Sequence, residues 1–147
     1  MKSVAAILKE KRDPSVHTIG PDASVFEALE RMAEHNVGAL LVMERERLVG
    51  IVSERDYARK VILLARSSRD LPVRGIMSSP VMYVGLHQTN EECMALMTGK
   101  RLRHLPVVES GKVVGIVSIG DLVKSIVAEQ RFIIEQLEHY IAGDRGV

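Results

Sequence analysis

The chain has 147 residues, the usual size of one domain and long enough to bury a hydrophobic core. Its 20 basic and 19 acidic side chains nearly cancel, which argues against a broad surface that contacts nucleic-acid phosphates. Aromatic residues make up only 3% of the chain, too few for platforms that stack single-stranded bases. This composition is typical of a folded protein with no nucleic-acid partner.

Cysteine, histidine and the apolar runs narrow the class of protein further. Cys93 is the only cysteine, so an internal disulfide is excluded and a reducing compartment, the cytoplasm, is expected. The longest uncharged stretch, residues 75–90, is shorter and more polar than the roughly eighteen apolar residues of a membrane span. This stretch therefore predicts no membrane partner. The five histidines lack ligand spacing such as HExxH, so we also expect no metal site.

In chain order, residues 1–15 are expected to form a lead-in with an N-terminal helix, and residues 16–20 a short strand. Ser24 followed by Glu27 has the capping-box pattern and predicts that a helix begins there. The runs ALLVME and LVGIVS come next and predict central strands, because they are too continuously apolar for half-exposed ones. The segment DYARKVILLA then predicts a second helix.

The second half of the chain repeats the first. Residues 90–127 align without a gap on residues 25–62 at an offset of 65, with 11 of 38 pairs identical. The block VGIVSxxD occurs at 49–56 and again at 114–121. We therefore expect a first domain at 16–65, a linker at 66–75 and a second domain at 76–127, packed together because each alone would have a marginal core.

The chain continues as a predicted helical extension over residues 128–147. Apolar side chains alternate at spacings of three and four, as in a coiled coil, at five of the six positions Val123, Ile126, Gln130, Ile133, Leu137 and Tyr140. This seam favours burial on a second copy of the chain, and hence a homodimer. The alternative is a helix that folds back on its own domains.

The repeated Ser-x-x-Asp sequence carries the candidate chemistry. Ser53 and Ser118 end a strand at the start of a helix, where backbone amides favour an anion. Asp56 and Asp121 lie in the first helical turn and can either cap the helix or accept hydrogen bonds from ribose hydroxyls.

The order β-α-β-β-α and the GIVSxxD block resemble the cystathionine-beta-synthase (CBS) domain, here as a tandem pair or Bateman module like the small stand-alone bacterial CBS-pair proteins. The resemblance implies an α/β (α+β) fold of two repeats related by a pseudo-twofold axis, with a long C-terminal helix. It also implies clefts that hold an adenine nucleotide between apolar strands. One site, called the first site, consists by position of His17, Thr18, Val37, Gly38, Ala39, Arg103, Ser118, Ile119 and Asp121. The second site consists of Ser53, Arg55, Asp56, Met82, Tyr83, Leu102 and His104.

Two arginines make the predicted sites unequal. Arg103 precedes the strand HLPVVE, where family members often place a residue on the nucleotide phosphate, and its counterpart in the first repeat is Gly38. Arg55 lies within the second site, and its counterpart is Gly120. We hypothesise that the second site tolerates more phosphate charge than the first.

The resemblance implies a regulatory module without catalytic activity that senses AMP, or a related adenine ligand such as ATP or NAD(H), and signals to an unidentified regulated protein. One alternative is a structural dimerising module with empty clefts. An enzyme such as a nucleotide hydrolase would need an activating base or metal that the sequence does not display.

Overall fold

The computed structural model describes residues 2–146, with side chains as far as Ile141. The helices are α1 (Val4–Glu10), α2 (Val25–His35), α3 (Glu54–Tyr57), α4 (Asn90–Lys100) and α5 (Ile119–Gly146). The strands are β1 (Thr18–Ile19), β2 (Ala39–Glu44), β3 (Arg47–Ser53), β4 (His104–Glu109) and β5 (Lys112–Ser118). Helix α3 continues in π-helical form over Ala58–Ile62, and a 3-10 turn covers Val73–Gly75.

The first repeat forms the predicted strand-helix-strand-strand-helix unit. Strand β1 pairs parallel with β2, and β2 pairs antiparallel with β3. Helix α2 begins where the capping pattern predicts, because the Ser24 hydroxyl accepts a hydrogen bond from the Glu27 amide. It buries Val25, Ala28 and Met32 against the sheet. We call this cluster the first core.

The second repeat has the same order with a reduced first strand. Strands β4 and β5 pair antiparallel, and α4 is capped by Thr89. The counterpart of β1, which the repeat predicts at residues 81–85, is reduced to one parallel bridge between Val84 and Val107. Cys93 and Met97 of α4 pack with Leu105 and other residues of β4 and β5 into a second core. The predicted mixed fold of two such units with a long C-terminal helix is confirmed.

Each core also contains a segment that precedes the other repeat. Val4 and Ile7 of α1 pack into the second core, although α1 leads into the first repeat. Val73 and Ile76, which lead into the second repeat, pack into the first core. The two repeats are therefore interlocked, while the exact domain boundaries at residues 16 and 76 stay a prediction.

Helix α5 begins in the second core and then leaves it. Leu122 and Ser125 are buried, whereas nearly every described side chain beyond Ala128 is exposed. Among the helices of the described residues, none is long and apolar enough to cross a membrane.

Candidate functional site

A cavity of about 730 Å³ opens between the two repeats, and we call it the cleft. One wall comes from the segment after α1, the end of α2 and the start of β2, and the other from β4, β5 and the first turns of α5. The cleft is lined by Ile7, Glu10, Lys11, Arg12, Asp13, Ser15, His17, His35, Asn36, Val37, Gly38, Ala39, His104, Ile116, Ser118, Asp121, Lys124, Ser125 and Ala128.

The N-terminus of α5 forms the polar floor of the cleft. The Asp121 amide donates to the Ser118 hydroxyl at 3.1 Å, and the Ser118 amide donates to Asp121 Oδ2 at 2.8 Å. This reciprocal pair caps the helix, so the capping role expected as an alternative is present. A carboxylate can accept about four hydrogen bonds, so capping does not use up the capacity of Asp121.

A lysine from the start of the chain contacts the same carboxylate. Lys11 Nζ lies 3.0 Å from Asp121 Oδ2 and donates to the Ile116 carbonyl oxygen at 2.8 Å. Burial alone would raise the pKa of Asp121, but the Ser118 amide and the Lys11 ammonium outweigh it and hold the pKa below its ordinary value. Asp121 is therefore ionised at neutral pH.

Three histidines line the cleft. His17 and His35 stack with ring centroids 3.9 Å apart and an angle of 15° between the rings. His104 is held mainly neutral: burial lowers its pKa most, Asp121 opposes this, and Lys11 and Arg103 lower it further. Its ring approaches Gly38, with Cε1 4.0 Å from the position that a Cβ would take there.

Most of the predicted first site meets in this cleft. His17, Val37, Gly38, Ala39, Ser118 and Asp121 line it. Three predicted members are absent from its lining. Thr18 is exposed and gives its carbonyl to Arg31, Ile119 packs on the second core, and Arg103 is exposed while its carbonyl accepts the Ile119 amide.

The residues of the predicted second site lie outside this cleft, with one exception. His104 lines the cleft with the first-site residues, because β2 and β4 both begin there. Ser53 and Asp56 form the equivalent capping pair of α3, and Lys60 Nζ lies 3.3 Å from Asp56 Oδ1. Of the other residues predicted for the second site, Arg55, Met82 and Tyr83 are exposed to solvent, and Leu102 packs on the second core.

Several lining residues were not predicted, among them Lys11, His35, Lys124 and Ser125. His35 ends the predicted helix α2, and its neighbour Val37 was predicted, so adjacency could have indicated it. Lys11 had no such signal, because its partners lie 105 and 110 positions along the chain. Ser125 is buried with its Oγ unpaired, whereas its repeat counterpart is Lys60.

The cleft combines an apolar slot with groups for a polar, anionic ligand. Val37, Ala39 and Ile116 can contact a flat apolar ring, while Asp121 can accept hydroxyl protons. Lys11 and the backbone amides at the start of α5 favour negative charge. Within the described residues no group of three or more His, Cys, Asp and Glu side chains could hold a metal ion.

Comparison with known proteins shows that this architecture is shared with proteins that contain CBS domains. A protein from Burkholderia ambifaria MC40-6 with CBS domains superposes with a TM-score of 0.85 at 50% identity, covering 88% of this chain and 96% of that one. The mitochondrial CBS domain-containing protein CBSX3 of Arabidopsis thaliana is 40% identical over 127 residues, 83% of this chain but 62% of that protein, so the chain spans less than two thirds of its length.

A third protein shares the fold at lower identity. The CBS domain pair of MJ0100, solved in complex with 5′-methylthioadenosine and S-adenosyl-L-methionine, has a TM-score of 0.75 at 24% identity, over 87% of this chain and 98% of that one. The CBS domain model itself matches residues 8–63 and 73–128, which are most of the chain. The chain therefore belongs to the CBS-domain family and contains two CBS domains in tandem.

Proposed function

We propose that this chain is a non-catalytic regulatory module that binds an adenine nucleotide of AMP type in the cleft between its repeats. The observation that carries the proposal is the position of Asp121 and Ser118 at the N-terminus of α5, facing residues 37–39 of the other repeat across one cavity. Only a ligand that spans both walls makes full use of these groups.

The chemistry of each wall matches one part of the ligand. Asp121 accepts the ribose hydroxyls, the start of α5 and Lys11 face the phosphate, and the apolar wall takes the adenine. MJ0100 supports the proposal, because it shows that this fold can hold adenosine-containing ligands. A ligand that touches both repeats shifts their relative orientation only by its differential affinity for the two arrangements, and a partner protein reads that shift in the cytoplasm.

Isothermal titration calorimetry tests the proposal with AMP, ATP, NAD⁺ and NADH. We expect AMP to bind once per chain, and Asp121→Ala to weaken binding by roughly tenfold or more, since a charged hydrogen-bond acceptor is lost. Asp56→Ala removes the equivalent carboxylate of α3. If Asp56→Ala alone abolishes binding, the ligand occupies the second site and not the cleft.

The same experiment separates the alternatives. Tighter binding of ATP or NAD(H) than of AMP would change the ligand and keep the site. No binding of any of them at millimolar concentration would leave a structural dimerising module. Release of product after incubation with AMP, ATP or NADH would identify an enzyme.

We also propose that the chain is a homodimer joined along α5. Exposed apolar side chains recur on this helix at spacings of three, four and seven residues, at Val123, Val127, Ile134, Leu137 and Ile141. They overlap the predicted seam, of which Val123, Ile133, Leu137 and Tyr140 are exposed and Ile126 is half-buried. A second α5 is the occupant that matches this repeat along its whole length.

A further inference from the structure

Lys11 is the cation in direct contact with the carboxylate of the cleft. It follows α1 and turns inward, so that its side chain is only 17% exposed. Its ammonium is held between the Ile116 carbonyl oxygen and Asp121 Oδ2. Burying a lysine this far is unfavourable unless the charge is paired, so the position of the ammonium is well defined.

In the first repeat, the carboxylate equivalent to Asp121 is paired by a lysine from a different position. There Asp56 is paired by Lys60 of its own helical segment, four residues later, and Lys60 also donates to the Ile76 carbonyl. The position equivalent to Lys60 in α5 is Ser125, which cannot pair with a carboxylate as a cation. Asp121 therefore depends on a lysine that comes from the start of the chain and lies in the cleft wall.

The remaining charges of the cleft leave Lys11 as the cation nearest a ligand held by Asp121. Glu10 is paired with Lys2 at 2.8 Å, and Asp13 accepts the Ser15 amide, so both acids are engaged locally. Arg12 and Lys124 also line the cleft, but among the side chains that the structure describes Lys11 is the cation paired with Asp121, at 3.0 Å. A nucleotide whose ribose is held by Asp121 therefore carries its 5′ phosphate within the roughly 10 Å over which this ammonium attracts an anion.

We propose that Lys11 makes the cleft select phosphorylated adenine nucleosides over uncharged ones. This inference rests on the proposed adenine-nucleotide site. The ammonium offsets part of the repulsion between Asp121 and the phosphate, and charge-assisted contacts exceed neutral hydrogen bonds in strength. An uncharged nucleoside has the same ribose but no phosphate for the ammonium to attract. Loss of the lysine should therefore affect the two kinds of ligand differently.

Calorimetric titration of the full chain with AMP and with adenosine tests this, on the parent and on Lys11→Met. In the parent, AMP binds more tightly than adenosine. In Lys11→Met, AMP affinity falls roughly tenfold or more, while adenosine affinity is unchanged or higher. Lys11→Arg keeps a cation and should retain most of the preference for AMP. Lys9→Met is the control, because Lys9 is exposed on the same helix and outside the cleft.

The outcomes separate this inference from the proposed function. An equal loss of AMP and adenosine affinity in Lys11→Met would assign Lys11 a structural role and overturn the inference, as would an unchanged AMP affinity. In both cases, loss of ligand binding in Asp121→Ala would still support the proposed adenine-nucleotide site. If the parent binds neither ligand, both proposals are wrong. Thermal unfolding of each variant shows whether its fold is retained.

Discussion

The His104 side chain is a titratable group of the cleft whose pKa is shifted by its surroundings. Burial lowers the pKa of His104 below its ordinary value of 6.5, and the cations Lys11 and Arg103 lower it further against the opposing effect of Asp121. As the pH falls through 6.5, the unfolded chain takes up this proton before the folded chain does. The contribution of His104 to stability is thus present above pH 6.5 and is lost below it.

We expect His104→Gln to flatten the dependence of folding stability on pH. The glutamine keeps a polar side chain but binds no proton between pH 8 and pH 5, so the difference in unfolding free energy between parent and variant should shrink as the pH falls. Urea denaturation at several pH values measures this difference. A difference that stays constant over that range would contradict the prediction.

Sequence alone could predict the residues of the cleft that repeat or stand beside a repeated motif. Ser118 and Asp121 are in the duplicated block, and Val37 to Ala39 stand where the resemblance places the adenine. Lys11 could not be predicted, because residue 76, its equivalent at the repeat offset, is an isoleucine. His104 was predicted for the second site, whereas its side chain lines the cleft beside first-site residues, because that proximity depends on how the two repeats pack.

At the scale of elements, Gly50 in β3 and its counterpart Gly115 in β5 each contact the segment that precedes the other repeat. A Cβ at Gly115 would lie 2.9 Å from Leu8 Cδ1 and Cδ2 of α1. A Cβ at Gly50, its counterpart in β3, would lie 2.5 Å from Met77 Sδ, which follows the Val73–Gly75 turn. The glycine of the GIVS motif thus permits this close approach, and neither Gly50 nor Gly115 has a positive φ.

Gly115→Ala should therefore destabilise the protein. The added methyl group would lie 2.9 Å from both Cδ atoms of Leu8, so the Leu8 side chain must rotate or α1 must shift, at a cost of about 1 kcal/mol for overpacking. Urea denaturation measures the loss as a lower midpoint. Unchanged stability would contradict the prediction and show that Leu8 yields without strain.

Gly99→Ala should have the opposite effect. Gly99 is exposed within α4, and a Cβ there meets nothing within 4 Å. Gly99 is the second-last residue of α4, where alanine is more favourable than glycine by up to roughly 0.5–1 kcal/mol, because less backbone entropy is lost on folding. A higher urea midpoint than that of the parent confirms this, and a lower one would indicate that α4 is not helical at residue 99.

The strands and capped helices could be predicted because their signals are local. Continuous apolar runs and Ser or Thr caps identify α2, β2, β3, α4, β4 and β5. The location of α1 has no local signal: its seven residues carry the apolar spacing of a helix but not the identity of the core that buries it. The counterpart of β1 at Val84 is shorter than predicted and pairs with β4 through one bridge.

At the scale of the whole molecule, interlocking should make the two repeats unfold together. Removal of the chain up to and including Lys11 would take Val4 and Ile7 out of the second core and Lys11 out of the cleft, although the first repeat follows this segment in the chain. Each repeat therefore depends on the segment that leads into the other, and the cleft is held by both.

The exposed half of α5 provides the remaining test, which concerns assembly. Leu137 is 58% exposed in the single chain, so Leu137→Asp should leave the fold intact. In a dimer joined along α5, the charge would be buried in the seam without a partner, which is strongly unfavourable. Sedimentation velocity should therefore give the mass of two chains for the parent and of one chain for Leu137→Asp at the same concentration.

His139→Asp is the matched control for this experiment. His139 is exposed and lies about 200° around the helix from Leu137, since each residue turns the helix by about 100°. The His139→Asp substitution adds the same acidic side chain outside the seam, so it should leave the dimer unchanged. A parent that sediments as one chain, or a Leu137→Asp variant that sediments as two, would show that α5 does not join the subunits. Because the first turns of α5 carry Asp121, a seam along this helix connects the cleft of one subunit to that of the other.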